Sequence, residues 1–162
     1  MTEEAKQEEN KREFALQRIY TKDISFETPN SPAVFQKEWK PESSVNLNTE
    51  VAKLNDKVFE VMLTVTITTK LGDQTAYLAE VKQAGIFGIN GFPEQEMGPL
   101  LGSYCPNMLF PYVREVISDL VTKGSFPQLV LQPVNFDALY AQHQQELAKK
   151  MAAAKEQAGT KH

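Results

Sequence analysis

The sequence predicts an α+β fold in which a four-stranded antiparallel sheet is followed by two helices. Three observations carry that expectation. Residues 14–92 hold runs in which Thr, Val, Ile and aromatic residues alternate with polar ones, the period of half-buried strands. After residue 93 the apolar residues recur at helical spacing. The two regimes stand in consecutive blocks, which is the α+β plan. At 162 residues the chain suits one domain with a modest core.

Residues 1–13, "MTEEAKQEENKRE", are polar and acidic, and are expected to be a flexible N-terminal segment. They contain no apolar stretch of the kind a secretory signal needs. The first strand, "FALQRIYTKDISFE", is expected to turn Tyr20, Ile24 and Phe26 to one side and Asp23, Ser25 and Glu27 to the other. The connection "TPNSPAVFQKEWKPESS" is long for a compact domain. Pro29, Pro32 and Pro41 restrict its backbone, and it carries Val34, Phe35 and the sole Trp39. Either these side chains form a surface for apolar ligands or peptides, or Phe35 and Trp39 pin the loop to the core.

"VNLNTEVAKL" reads as a strand with Val45, Leu47 and Val51 inward. "KVFEVMLTVTITTK" has the strongest period: Phe59, Val61, Leu63, Val65 and Ile67 share one face, and Glu60, Met62, Thr64, Thr66 and Thr68 the other. "LGDQ" supplies a turn, and "TAYLAEVKQAGIF" returns with Tyr77, Ala79 and Val81 on one parity and Leu78, Glu80 and Lys82 on the other. A helix is expected over 93–123, broken near Gly98-Pro99 and Gly102, and a second over 137–158 capped by Asp137. Residues 124–136 form a proline-punctuated connection between them.

The first helix carries more apolar surface than one sheet needs. Leu109, Val113, Val116 and Leu120 make one stripe; Phe110, Ile117 and Val121 lie roughly 100° round from it, and Met108 and Tyr112 add to the opposite edge. A second copy of the chain would cover the surplus; the alternative is cover by the second helix of the same chain.

Several chemistries are excluded or disfavoured. The net charge of −4 argues against broad phosphate contacts with nucleic acid. One cysteine allows no internal disulfide and suits a reducing cytoplasm. Cys105 begins a helix, which lowers a thiol pKa, but a nucleophile needs a base. The only histidines are His143, in the hydrophilic "QHQQE", and the terminal His162, so burial as a structural residue is expected, with no hydrolytic triad and no zinc cluster. "GIFGING" fits no phosphate-binding pattern and reads as a turn. Asp23 and Glu27 share a strand face roughly 13 Å apart at about 3.3 Å per residue, too far for the about 5–9.5 Å of paired glycosidase carboxylates. With Glu80 they read as an acidic patch around Leu78, an apolar residue able to anchor a basic partner, although a lone exposed Leu often has no role.

"RIYTKDISFE", "VFQKEW", "AGIFGI", "GSYCPNMLFPYVRE" and "FPQLVLQPVNFDALY" together resemble the SecB family of proteobacterial protein-export chaperones, across roughly residues 14–140 in one register. The resemblance implies a SecB-like chaperone domain over 14–140, with 141–162 as the end of the second helix and a flexible tail. It implies a cytoplasmic homotetramer, a dimer of dimers, that is not an enzyme and has no cofactor or metal of its own. Such a protein binds unfolded preproteins and delivers them to the SecA ATPase at the SecYEG translocon. SecA brings a basic, zinc-bearing C-terminal segment, and the matching docking positions here are Asp23, Glu27, Leu78 and Glu80. The client groove is expected to draw on Tyr20, Phe26, Val34, Phe35, Trp39, Leu47, Phe136 and Tyr140, with Tyr20 and Phe26 equally compatible with the core. The helix packed between dimers is expected to contribute Phe110, Val113, Ile117 and Val121. Without the resemblance, the same acidic face would suit a cytosolic scaffold that binds one folded partner.

Overall fold

Alternating apolar residues make the central strands. Val61, Leu63, Val65 and Ile67 are fully buried on one face of a strand, with Phe59 close behind. The computed structural model describes residues 11–160. Strands β1 (Glu13–Glu27), β2 (Glu42–Asn55), β3 (Val58–Leu71) and β4 (Gln74–Asn90) form one antiparallel sheet in the order β1-β4-β3-β2. Gly72, at φ +60°, makes the tight turn from β3 to β4 that a residue with a Cβ would strain.

Helical backbone then runs from Glu94 to Lys123. It comprises α1 (Glu94–Pro99), a π turn (Leu100–Tyr104) and α2 (Cys105–Lys123). The expected break near Gly98-Pro99 and Gly102 is therefore a widened turn within a continuous helix. α2 lies across β4 and β3. Its inward line steps by four through Cys105, Leu109, Val113, Ile117 and Val121, all without exposed surface. Each such side chain removed from water is worth about 1.5–3 kcal/mol before entropy is counted. The chain turns through Ser125, at φ +69°, and reaches α3 (Phe136–Gly159).

α3 is capped by Asn135, whose side chain accepts the Ala138 N–H at 3.0 Å. This corrects the expectation for Asp137. That carboxylate lies inside the first turn and accepts the hydroxyl hydrogen of Ser103, tying α3 to the π turn.

β1 also departs from simple alternation. Its register against β4 shifts between Leu16 and Arg18 and again between Thr21 and Asp23, so Gln17 and Lys22 are extra residues. Each extra residue reverses the parity. Phe14 and Leu16 pair with Ile89 and Phe87 on the core face, Ile19 with Gly85, then Ile24 and Phe26 with Val81 and Ala79. Tyr20 falls between the two bulges and turns to the opposite face from Ile24 and Phe26.

β2 keeps the expected inward set, but as an edge strand beyond the reach of α2 it leaves Val45 and Val51 exposed. Of the expected flexible segment, residues 1–10 lie outside the described residues. Arg12 is engaged, paired with Glu96 at 3.1 Å and lying over Phe92, and Glu13 already opens β1.

Candidate functional site

The core face of the sheet carries two open apolar features. The first is an aromatic cluster under the long connection. Phe126 is its centre, with ring centroids 5.0 Å from Tyr77, 5.3 Å from Phe35 and 5.7 Å from Trp39; Phe26 adds to it through Tyr77 at 6.2 Å. Val34 is buried and pins the loop, as does Asn30, which donates to the Thr75 carbonyl at 2.9 Å. Phe35 remains 49% exposed and Trp39 half-buried. The loop is thus both anchored and open: Val34 anchors it, and Phe35 faces water. Phe126 was not singled out in the sequence. Its signal was an aromatic residue held between Gly124-Ser125 and Pro127 in a connection.

The second feature is a slot of about 610 Å³ between β2 and α3. Val45, Leu47 and Val51 line one wall, and Leu139, Tyr140, His143 and Glu146 the other. Phe136 reaches it, but is chiefly a pin: it is buried, with its ring edge-on to Phe110 at 5.8 Å. One transverse row, Phe26–Ala79–Ile67–Val45, runs from the cluster to the slot wall. Seven of the eight residues expected at a groove therefore share the core-face side. Tyr20 does not. It stands on the outer face and donates to Glu60, which also accepts from Lys22 Nζ at 2.9 Å. Burial and then the Glu60 bond push the Tyr20 hydroxyl up to about 12. The bonds from Tyr20 and Lys22 hold the Glu60 carboxyl below its ordinary range against the opposing effect of burial.

Asp23, Glu27, Leu78 and Glu80 do lie together on that outer face. Glu27 is paired with Leu78, Ser25 with Glu80 and Asp23 with Lys82. Asp23 and Glu27 are exposed, and Leu78 and Glu80 half-buried. Thr66 Oγ1 donates to Glu80 Oε2 at 3.0 Å and orients it. The patch is flat, wet and negative, with Lys82 as one interleaved cation.

Phe110, Val113, Ile117 and Val121 require a correction. All four are buried within a single chain, against its own sheet and the start of α3. A side chain already covered offers no surface to a second copy. The surplus apolar surface of α2 is real but belongs to other residues: Met108, Val116 and Leu120 are half-buried, and Tyr112 is 49% exposed. The second helix packs on the π turn, and that stripe stays only partly covered.

Cys105 is fully buried, as expected of a structural residue. It does not start a free helix end, because the π turn runs into it, and burial pushes its thiol up to about 12. Among the described residues no cluster of His, Cys, Asp and Glu is placed to hold a metal ion, and no helix is long and apolar enough to cross a membrane.

The whole chain is 59% identical to the protein-export protein SecB of Methylococcus capsulatus, over 162 residues that are 100% of both chains. It is 61% identical over 136 residues, 83% of each chain, to the protein-export protein SecB of Nitrosococcus oceani. A SecB-like chaperone of Mycobacterium tuberculosis, solved with a ChAD peptide from the HigA1 antitoxin, shares the fold at a TM-score of 0.64 and 17% identity, covering 75% of this chain and 90% of that one. The family model described as preprotein translocase subunit SecB matches residues 7–147, and with these relatives it shows that the chain belongs to the SecB family.

Proposed function

We propose that this chain, a chaperone of preprotein export, captures unfolded preproteins on the core-face side of its sheet and hands them to SecA through the outer face. The observation that carries the reading is the separation of the two surfaces. The aromatic cluster and the slot are open and apolar. The patch of Asp23, Glu27, Leu78 and Glu80 lies on the opposite face. An unfolded client exposes aromatic and aliphatic side chains, which the cluster and slot bury without demanding one sequence. The relative solved with a peptide supports a fold able to hold a peptide.

SecA's basic, zinc-bearing C-terminal segment suits the acidic face, with Leu78 as the apolar anchor. Exposed charge pairs give about 0–1 kcal/mol each, so several must act together and salt must weaken the contact. The assembly is a cytoplasmic dimer of dimers. The partly exposed α2 stripe of Met108, Tyr112, Val116 and Leu120 supports a second copy there. Several such surfaces on one assembly acting on one client raise avidity. The chain itself needs no catalytic step.

The test measures both bindings on each of two variants, Leu78→Arg and Glu80→Lys. SecA binding should fall sharply while client capture and oligomer size hold. Parallel loss of both bindings would overturn the separation.

A further inference from the structure

We propose that Gly98 and Gly102 form a seat for the Tyr140 ring, and that this seat sets the width of the slot between α3 and β2. The consequence for client binding rests on the reading that the slot takes client segments. α3 is held only through its first turns. Phe136 is buried against Phe110, Asp137 accepts from Ser103, and Tyr140 is the last half-buried residue of the helix. Every residue from Ala141 to Thr160 is exposed. The angle at which α3 leaves the body is therefore decided by three contacts at one end.

The Tyr140 contact has no slack. A Cβ at Gly102 would stand 2.6 Å from Tyr140 Cδ2 and 2.7 Å from Cε2, nearer than carbon atoms pack. A Cβ at Gly98 would overlap the Tyr140 hydroxyl, while the next atom of the ring, Cζ, would lie at an ordinary 3.5 Å. The two glycines flank the junction between α1 and the π turn, a distortion that widens the helix where the ring lands. Gly102 and Tyr140 both line the slot, so the seat is part of its floor. The opposite wall, β2, is fixed in the sheet by its ladder to β3. Bulk added to the seat must therefore move α3.

The test places Thr49→Cys and His143→Cys on opposite walls of the slot in the full chain and follows cross-linking by a short bismaleimide. Cys105 stays silent because it is buried. Gly98→Ala and Gly102→Ala should each slow the intramolecular cross-link several-fold and weaken binding of a permanently unfolded, carboxymethylated polypeptide. Adding Tyr140→Phe should restore the cross-linking rate of Gly98→Ala, since only the hydroxyl obstructs that methyl. It should not restore Gly102→Ala, where the ring itself obstructs. Where Gly102→Ala does not fold, the Gly98 pair decides alone. An unchanged cross-linking rate, or a Gly98→Ala rate that Tyr140→Phe leaves slow, overturns the seat. A slower cross-link with undiminished binding of the unfolded probe supports the seat and removes the slot from client capture.

Discussion

Truncating Phe126 to Ala opens the aromatic cluster from its centre. The ring is 6% exposed and touches Tyr77, Phe35 and Trp39 at centroid distances of 5.0, 5.3 and 5.7 Å. Removing a buried phenyl ring costs about 3–5 kcal/mol when the site cannot relax. Phe35 and Trp39 are only partly covered and can fold into the gap, which puts the loss near the lower bound, about 3 kcal/mol. For a chain of this size that lowers the melting temperature by about 6–12 °C at a fixed protomer concentration. Trp39 also loses a stacked neighbour and gains water, so its emission should shift to longer wavelength. No second tryptophan masks the signal. Phe126→Leu keeps most of the volume and should cost about 1 kcal/mol, mainly the aromatic contribution. If Phe126→Ala melts like the parent and leaves the Trp39 spectrum unchanged, Phe126 is not the centre of the cluster, and the account of the long connection fails with it.

Three further outcomes follow from the placement of individual groups. The Glu60 carboxyl is lowered in the folded chain, so its stabilisation is complete above the ordinary value of 4.5 and is lost as pH falls below that through the lowered value. Glu60→Gln should erase that part of an acid-melting curve, and an unaltered curve would show that Tyr20 and Lys22 do not stabilise the ionised form. Cys105 should resist maleimide in the native protein at neutral pH and react at once in denaturant; rapid native modification would contradict its burial. Tyr112→Asp should leave a folded chain of smaller assembly size by light scattering, whereas Val121→Asp should unfold the chain by burying an unpaired charge. The reverse pattern would put Val121 at a subunit contact.

What was legible in the sequence followed from unambiguous alternation. In β3 and the first half of β4 apolar residues recur at every second position, from Phe59 to Ile67 and from Tyr77 to Val81, so both faces could be assigned, including the shared parity of Leu78 and Glu80. α2 was harder. Its two apolar stripes were visible, but the line that meets the sheet draws Leu109 and Val113 from one and Ile117 and Val121 from the other. Cys105, also buried, extends that line by one more step of four. The cap of α3 was ambiguous for a similar reason. Asn135 and Asp137 are both good capping residues, and the register is set by Phe136 reaching Phe110. Phe126 lay in a connection with no period to mark it.

β1 shows why the two surfaces separate, and why one residue was misplaced. The inward residues run Phe14 and Leu16, then Ile19, then Ile24 and Phe26, an even–odd–even sequence that simple alternation cannot produce. The bulges fall at Gln17 and Lys22, both within polar surroundings where no apolar side chain records the change of parity. Tyr20 is amphipathic and reads equally well on either face. Two bulges cancel, so the assignment of Asp23 and Glu27 survives although that of Tyr20 does not. The cancellation has a physical anchor. Lys22, the extra residue, reaches across β4 to Glu60 on β3, and Tyr20 reaches the same carboxylate. With the bulge held at Lys22, Ile24 and Phe26 must face the core side, and Asp23 and Glu27 must face away from it. Moving the bulge past Asp23 would turn that carboxylate toward the apolar side and break the acidic patch. The separation of an apolar side from a charged side thus depends on where one extra residue sits in an edge strand.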